Sequence, residues 1–490
     1  MRKRILIKCV SLLICVCTLL PLMIACIKNE QSETTETVAT GNSEERNYEF
    51  PEGVNFEGRT YTILNCYKNQ WEQLCLVTSH DMDGTAINDA VFRRTVWLEE
   101  TMNCKLEEVN VDMYEIKKTL DVVIDSGDLS YAAAYMQVND IAAEMIGNRL
   151  TQLDYVQNMK LDESYWNKEL MEATTINNRH YSAVSDSHLM HFDGSWCVFF
   201  NKQTLENSDM ELPYDLVRNG TWTLEKMVTM SRQLANLNDD DSWNLNLQGN
   251  AHYGFSTYWV GVGTLLYGVD AQFGKKDIND IPYLTCATPD FTDKAQDVAA
   301  FCVEPGTFYF ATADNNKMEE KADALFINER VAFAGLQVCF MNKFMKASIE
   351  FGIVPFPKYS EDQKEYNVSS SVTAPFLTIP YGYVYTEDIG LIMDAMSYEA
   401  DRTLAKVYYQ DHLQLKSNTG EVLDNIEMLE LIRQRRSADA MVISGLDKNL
   451  HYQMCYAVKN GGETIASTYQ SHAPNTETQF NKLRVFFGVK

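Results

Sequence analysis

The densest group of potential metal ligands in this sequence lies between Asp186 and Asp193. Two histidines stand with two aspartates within these eight residues, and imidazole and carboxylate groups are common zinc ligands. In an extended strand, however, Asp186 and His188 share a face that His191 does not. A helix would align the histidines, but Gly194 and the flanking aromatic residues favour an irregular loop. We therefore predict no metal site, and we expect Asp186 and His188 to contact a ligand instead.

A second oxygen-rich segment runs from Asn238 to Asn244 and contains three consecutive aspartates. Calcium loops alternate oxygen ligands around a central glycine and end on a glutamate. This segment has neither the glycine nor the glutamate, so a solvated acidic turn is predicted. We accordingly expect no metal and no other cofactor.

Motifs of the common catalytic classes are absent from the sequence. No HExxH, GxSxG or GxxxxGK[ST] occurs, and Gly261-Val262-Gly263 lacks the context of a dinucleotide-binding fingerprint. The chain is therefore predicted not to be an enzyme. With 68 Asp and Glu residues, a glycosidase carboxylate pair is the alternative that inspection leaves open.

The composition is that of an ordinary globular protein with a strong acidic excess. Of 490 residues, 45% are hydrophobic and 22% are charged, and the net charge is −26. This charge disfavours nucleic acid, whose binding needs basic side chains that displace counterions, and it favours neutral or cationic small ligands. The eight cysteines that follow Cys26 form no CxxC pair and are predicted to be buried thiols.

The amino terminus has the layout of a secretory signal. Basic residues at 2–4 precede an almost wholly apolar stretch over 5–24, and the small Ala25 stands directly before Cys26. An uncleaved transmembrane anchor is the alternative, because about 20 apolar residues can span a bilayer. The small residue before the cysteine argues against it. Residues 22–26 resemble a bacterial lipobox, in which the cysteine is lipidated and becomes the new amino terminus.

We therefore predict a lipoprotein signal peptide over residues 1–25, and a lipidated Cys26 with a flexible tether over residues 26–56. Residues 28–47 are rich in Ser, Thr, Glu and Gln and hold no aromatic side chain. Such a segment buries too little apolar surface to offset its ordering entropy. The chain is expected to work outside the cell, held to the membrane by its lipid anchor.

The first folded segment alternates strands and helices. Strands are predicted over residues 61–66, 105–111 and 129–136, with amphipathic helices over 89–102 and 113–124 between them. This order with short links predicts a parallel sheet with crossover helices. Ligands gather at the carboxyl ends of parallel strands. Residues that follow the first and third strands are therefore predicted to bind the ligand, namely Tyr67, Asn69, Trp71, Gln137 and Asn139.

Later segments predict a second layer of structure. A strand is expected near 180–184 and a helix over 222–237, with Thr223 as its cap and Trp222 in a structural role. A further strand is expected within 349–357. The folded part, about 440 residues, is too long for one hydrophobic core, so two lobes are expected.

Several stretches resemble a known family when they are taken in order. They are residues 200–206, 213–227, 325–333 and 351–357. Together with the lipobox they resemble the carbohydrate branch of the ABC-transporter extracellular solute-binding proteins, the maltose-binding-protein-like group. The resemblance covers about residues 57–460, and it lies in the order and spacing of the stretches rather than in a single motif.

The resemblance implies an α/β fold of the two-lobed, type II periplasmic-binding-protein-like kind. Crossover hinge strands would join the lobes around an interlobe ligand cleft, with crossings near residues 196–200 and 351–357. The predicted boundaries are 57–197 plus 358–400 for lobe 1 and 198–357 plus 401–490 for lobe 2. Closure around the ligand would be a hinge motion of the crossing strands.

The implied function is extracytoplasmic capture of a neutral oligosaccharide and its delivery to the permease subunits of an ABC importer. A sugar site needs aromatic rings for the sugar faces and amides or carboxylates for the hydroxyl groups. By position in the family, Tyr258 and Trp259 match a segment that stacks on sugar. Gln337 stands where a stacking ring is common, and Asp186 stands where relatives often have Gly-Asp, although Ser185 precedes it here.

Three alternatives from other classes remain. The chain would be a surface-anchored glycoside hydrolase or lyase if it cleaved glycans, a sensory lipoprotein if it passed its ligand to a membrane receptor, or a peptide-binding protein. In every case the expected partners are a small molecule and the membrane rather than nucleic acid. The protein is expected to act as a monomer.

Overall fold

The structure is a computed structural model that describes residues 47–66, 75–243, 249–311, 318–408, 421–446 and 449–489. The predicted lipidation site Cys26 and the predicted ligand residues Tyr67, Asn69 and Trp71 lie outside these ranges. Within the ranges, none of the helices combines the length and the apolar character needed to cross a membrane.

The strands form two main sheets. In chain order they are β1 (Arg59–Cys66), β2 (Cys104–Val111), β3 (Tyr131–Gln137), β4 (Trp196–Asn201), β5 (Tyr253–Thr257), β6 (Gly274–Lys276), β7 (Pro282–Leu284), β8 (Phe308–Phe310), β9 (Val331–Gln337), β10 (Phe351–Val354), β11 (Val368–Ser369), β12 (Pro375–Thr378) and β13 (Arg436–Ser437). The first sheet has the order β12-β3-β1-β2 and the second the order β10-β4-β9-β5-β8. The short pairs β6–β7 and β11–β13 stand apart from both sheets.

Helices connect and cover the sheets. They are α1 (Ala86–Met102), α2 (Ile116–Asp125), α3 (Val138–Ile146), α4 (Lys168–Thr174), α5 (Met190–Asp193), α6 (Lys202–Glu206), α7 (Pro213–Arg218), α8 (Leu224–Leu234), α9 (Trp259–Gly268), α10 (Pro289–Cys302), α11 (Met318–Ile327), α12 (Phe340–Lys346), α13 (Thr386–Glu399), α14 (Glu421–Gln434), α15 (Ala440–Ile443), α16 (Leu450–Lys459) and α17 (Ile465–Phe487). A π-helical turn, Ala400–Leu404, follows α13.

The first sheet has the predicted parallel arrangement. β1 pairs in parallel with both β2 and β3, and α1 and α2 are the crossover helices. The added strand β12 runs antiparallel to β3. The predicted strand near 180–184 is wrong, since only Ala183 makes an isolated bridge, to Leu377. Its neighbours bond to loops instead, because the carbonyls of His180 and Val184 accept hydrogen bonds from the N–H groups of residues 153 and 167.

The two predicted crossing segments lie side by side in the second sheet. β4 is buried along its whole length and runs antiparallel to β9 and to β10, with Asn201 opposite Phe351 and Val198 opposite Val354. Gly352 lies directly over the ring of Phe200, where any β-carbon would overlap the ring. This close approach explains why a glycine occupies an otherwise apolar strand.

The core of the second sheet contains Trp222, as its predicted structural role requires. The side chain is fully buried, and its Nε1 donates a hydrogen bond of 2.9 Å to the carbonyl of Pro355. Thr223 caps α8 as predicted, because its hydroxyl accepts the N–H of Lys226. All eight cysteines that follow Cys26 are buried, as predicted.

Candidate functional site

In each of the two sheets, the carboxyl ends of the parallel strands lie together at one edge of that sheet. In the first sheet β1, β2 and β3 end at Cys66, Val111 and Gln137. In the second sheet the parallel strands β5 and β9 end at Thr257 and Gln337. Ligands of α/β proteins bind at such edges, so the residues around these strand ends are the candidate site.

Three side chains meet at this edge of the second sheet. Trp196, the first residue of β4, pairs in register with Gln337, the last residue of β9. The ring of Tyr258 lies 5.2 Å from the ring of Trp196, at an angle of 54°. All three residues are buried. Sequence reasoning proposed Tyr258 and Gln337 but used Trp196 only to mark the crossing.

Trp196 also carries an unused hydrogen-bond donor. Its indole Nε1 is buried and has no hydrogen-bond partner among the described residues. A buried N–H group without a partner costs about 1–3 kcal/mol, so this donor is suited to a ligand hydroxyl group.

Trp259, the first residue of α9, lies at the border of the core. Its side chain is partly buried, and its ring makes edge contacts with His451 at 5.8 Å and with Tyr452 at 5.0 Å. The ring thus packs on α16, two residues after the end of β5.

Gln137 and Asn139 lie at the matching edge of the first sheet. Gln137 is buried, and its Nε2 donates to the carbonyl of Met113 at 2.8 Å. Asn139 is partly buried at the start of α3, and its Oδ1 has no hydrogen-bond partner among the described residues. Of the two amides, Asn139 therefore has the acceptor that a ligand could use.

His188 is buried beside the end of β1. Its Nε2 lies 3.0 Å from Oδ1 of Asn65, and its ring centroid lies 4.8 Å from that of Tyr135. In the same region, the interaction with Cys75 has the largest effect on the pKa of the Cys66 thiol. Cys75 and His188 lower this pKa, although burial raises it.

Asp186 is buried between two arginines from the far end of the chain. Its Oδ2 lies 2.9 Å from Nη1 of Arg433, and its Oδ1 lies 3.2 Å from Nη2 of Arg436. Burial alone would raise the pKa of Asp186, but the charges of Arg436 and Arg433 hold it below its ordinary value. Neither arginine was proposed from the sequence, because nothing near residue 186 indicates them.

The neighbouring His191 completes this cluster. Its Nε2 donates to the carbonyl of Ser185 at 2.6 Å, and its Nδ1 accepts a hydrogen bond from Arg436. Burial, followed by the charge of Arg436, lowers the pKa of His191 well below its usual range. Across the described ranges, no group of three His, Cys, Asp or Glu side chains is arranged to hold a metal ion.

A lysine links the β6–β7 hairpin to the segment that follows α4. The Lys276 ammonium donates to the hydroxyl of Thr175 at 2.9 Å and to the carbonyl of Glu172. It also pairs with Asp280 at 2.9 Å, and Oδ2 of Asp280 accepts the N–H of Asn178 at 2.9 Å. Under the predicted boundaries, this contact joins lobe 2 to lobe 1.

Comparison with known proteins adds structural likeness but little sequence likeness. No protein-family model matches the chain, and no curated protein sequence does. An ABC substrate-binding protein of Listeria monocytogenes, solved with cycloalternan, has a TM-score of 0.55 at 13% identity, over 88% of this chain and 100% of that chain. An extracellular solute-binding protein of Staphylococcus aureus, solved with maltose, has a TM-score of 0.57 at 12% identity, over 89% and 100%.

This chain has the two-lobed fold of the ABC substrate-binding proteins. UgpB of Mycobacterium tuberculosis, solved with glycerophosphocholine, shares it with a TM-score of 0.55 at 12% identity, over 80% of this chain and 95% of that chain. The predicted α/β fold class is thereby confirmed. The Listeria protein is named as a substrate-binding protein and the Staphylococcus protein as a solute-binding protein.

Proposed function

We propose that this chain captures a carbohydrate outside the cytoplasm and delivers it to the permease subunits of an ABC importer. The observation that carries the proposal is the substrate-binding fold with the aromatic residues Trp196, Tyr258 and Trp259 at the carboxyl end of its second sheet. Sugar rings stack on flat aromatic faces, and Trp259 is the one of these three residues that is only partly buried.

Polar groups at the same edges support a neutral sugar. The Trp196 Nε1 donor and the Asn139 Oδ1 acceptor match hydroxyl groups, which both donate and accept hydrogen bonds. The proposed contacts also include Asp186, His188 and Gln337, together with Tyr67, Asn69, Trp71 and Gln137. A micromolar affinity, suited to capture and release, corresponds to about −8 kcal/mol, which a small set of such contacts supplies.

Placement outside the cell rests on the amino-terminal sequence. Lipidation of Cys26 would hold the folded part near the permease, and residues 28–47 would act as the tether. Growth with a labelled fatty acid should label the wild-type protein and leave a Cys26→Ala variant unlabelled. Equal labelling of both would exclude this anchor.

Calorimetric titration of the purified folded part tests the ligand class. We expect heat of binding with maltose, maltotetraose or cycloalternan, and none with a peptide mixture. Glycerophosphocholine belongs in the panel because a protein of the same fold was solved with it. Binding to glycerophosphocholine or peptides alone would refute the carbohydrate proposal.

Chromatography of the recovered sugars separates binding from hydrolysis. A binding protein returns the oligosaccharide intact after long incubation, whereas a glycoside hydrolase or lyase yields shorter products. Shorter products that form only when the purified protein is present would establish the enzyme alternative. Vesicles with the permease distinguish import from sensing, because only import accumulates labelled sugar inside.

A further inference from the structure

Three sulfur atoms meet in a buried cluster at the end of β1. The Sγ of Cys66 lies 3.8 Å from the Sδ of Met190, and the Sγ of Cys75 lies 3.7 Å from the same atom. Cys66 and Met190 are 1% exposed, and Cys75 is 7% exposed. Both thiols thus contact the same thioether, and all three residues are shielded from solvent.

The two thiol–thioether separations fit sulfur ligands of one metal ion. Metal–thiolate bonds are about 2.3 Å long, so two sulfurs on a trigonal ion stand about 4 Å apart. The observed separations of 3.7 and 3.8 Å are close to that value. An ion at the centre would need little movement of the three side chains.

A polar network fixes the three segments that carry the sulfurs. The Nδ1 of His188 accepts the N–H of Met190 at 3.3 Å, so its Nε2 bears the proton and donates to Asn65 at 3.0 Å. The Nδ2 of Asn65 donates in turn to the carbonyl of Cys75 at 2.6 Å. Such outer partners orient metal ligands in known sites. Asn65 also precedes Cys66 directly, so each sulfur-bearing residue is held by this network.

A buried cation lies beside the same segments. Arg94 is 1% exposed and donates to the carbonyl of Val77 at 2.6 Å and to that of Ser187 at 3.4 Å. These carbonyls lie two residues after Cys75 and three before Met190. Two thiolates around a monovalent ion carry a net charge of −1, which a nearby guanidinium favours.

We propose that Cys66, Cys75 and Met190 form a binding site for a soft monovalent cation, Cu(I), with His188 and Asn65 as positioning residues. Binding forms two copper–thiolate bonds and one copper–thioether bond, and both thiol protons pass to solvent. The ion remains Cu(I) throughout, so no oxidant or reductant is needed. Thiolate and thioether ligands select Cu(I), whereas structural zinc takes four ligands from Cys, His and carboxylates.

Anaerobic titration of the folded chain with Cu(I), against the chelator bathocuproine disulfonate, tests this site. We expect one Cu(I) per chain. Cys66→Ser and Cys75→Ser should each weaken binding at least about 100-fold, and His188→Gln about 10-fold or more. Cys104→Ser is the matched control, because Cys104 is a buried thiol at the opposite end of the same sheet. That variant should bind as the wild type does.

Met190→Leu separates the loss of a metal ligand from a loss of fold, because leucine keeps the apolar volume and removes only the sulfur. It should bind Cu(I) about tenfold more weakly while its thermal unfolding and sugar binding stay unchanged. X-ray absorption at the copper edge should show three sulfur neighbours in the wild type. Wild-type affinity in the Cys66→Ser/Cys75→Ser double variant, or in Met190→Leu, would overturn the proposal. Sugar titration is read separately, so either proposal can fail alone.

Discussion

The ammonium nitrogen of Lys276 lies 2.6 Å from the carbonyl oxygen of Thr175, although the two residues are 101 positions apart in the chain. Lys276 belongs to β6 and Thr175 follows α4, so this side chain joins the β6–β7 hairpin to a distant segment, as Asp280 does at Asn178. Burial lowers the pKa of Lys276, and Asp280 offsets part of that effect. Under the predicted boundaries this contact, the clasp, joins lobe 2 to lobe 1, and we expect it to favour closure of the lobes.

Replacing the clasp should weaken ligand binding. Lys276→Met keeps the length of the side chain but removes its charged hydrogen bonds, each of which contributes about 1.5–3 kcal/mol. Part of this is offset by the desolvation that methionine avoids, so we expect about a tenfold loss of sugar affinity, or about 1.4 kcal/mol. Small-angle scattering should show a more open average shape.

Lys343→Met is the matched control for the clasp. Lys343 pairs with Asp323 and lies over the ring of Phe340, all within predicted lobe 2. It should leave affinity and shape unchanged. If Lys276→Met bound sugar with wild-type affinity, closure would not depend on this contact.

Trp259 should contribute directly to sugar affinity. Trp259→Ala removes the accessible ring at the carboxyl end of β5, and we expect at least a tenfold loss of affinity in calorimetric titration, about 1.4 kcal/mol. Because the ring is only partly buried, the thermal unfolding midpoint should stay close to that of the wild type.

Trp243 provides the control for this ring. It is also partly buried and packs on Tyr253, the first residue of β5, at a ring distance of 5.5 Å. It therefore stands at the opposite end of the same strand. Trp243→Ala should bind sugar normally. An unchanged affinity in Trp259→Ala would show that its ring serves core packing and that the proposed cleft is misplaced.

Local patterns predicted the elements of this fold well. The alternation of apolar strands with amphipathic helices between Arg59 and Gln137 was enough to predict the parallel sheet. The helix start at Trp222 and its cap Thr223 were equally predictable, because helix starts have a short-range sequence signature.

Pairings between distant residues were not predictable from one sequence. Asp186 and Arg433 are 247 positions apart, and the register that sets Trp196 opposite Gln337 spans 141. The sequence around each of these residues contains no pattern that indicates its partner. The polar residues near 186 therefore suggested ligand contacts, while the partners that hold Asp186 and His188 became apparent only in the folded chain.

Acidification should destabilise the protein partly through His451. Burial lowers the pKa of His451 from 6.5 to about 4. The unfolded chain therefore binds a proton between these values that the folded chain does not. The contribution of neutral His451 to the free energy of unfolding is therefore complete above about pH 6.5. It is lost as the pH falls towards about 4, and the loss reaches at most about 3 kcal/mol.

Urea unfolding at a series of pH values measures this contribution. His451→Gln, which does not titrate, should show a shallower fall of unfolding free energy between pH 6.5 and 4. His472→Gln is the control, because it removes a partly exposed histidine on α17. A slope in His451→Gln equal to that of the wild type would show that His451 is protonated in the folded state.

Asp186 should matter for stability whether or not it touches a ligand. Arg436 is 2% exposed and pairs with Asp186 at 3.2 Å. Removing one member of a buried ion pair costs about 3–5 kcal/mol, because the remaining charge stays buried. Asp186→Asn should therefore lower the unfolding free energy by about that amount in urea titrations.

Two further variants separate this effect from ligand contact. Asp215→Asn makes the same change at an ion pair whose carboxylate is 77% exposed, so it should cost at most about 1 kcal/mol. In the double variant Asp186→Asn/Arg436→Met the buried charge is gone, and stability should recover in large part. If the recovered protein still bound sugar weakly, Asp186 would contact the ligand. If its affinity returned as well, Asp186 would serve only to neutralise the arginines.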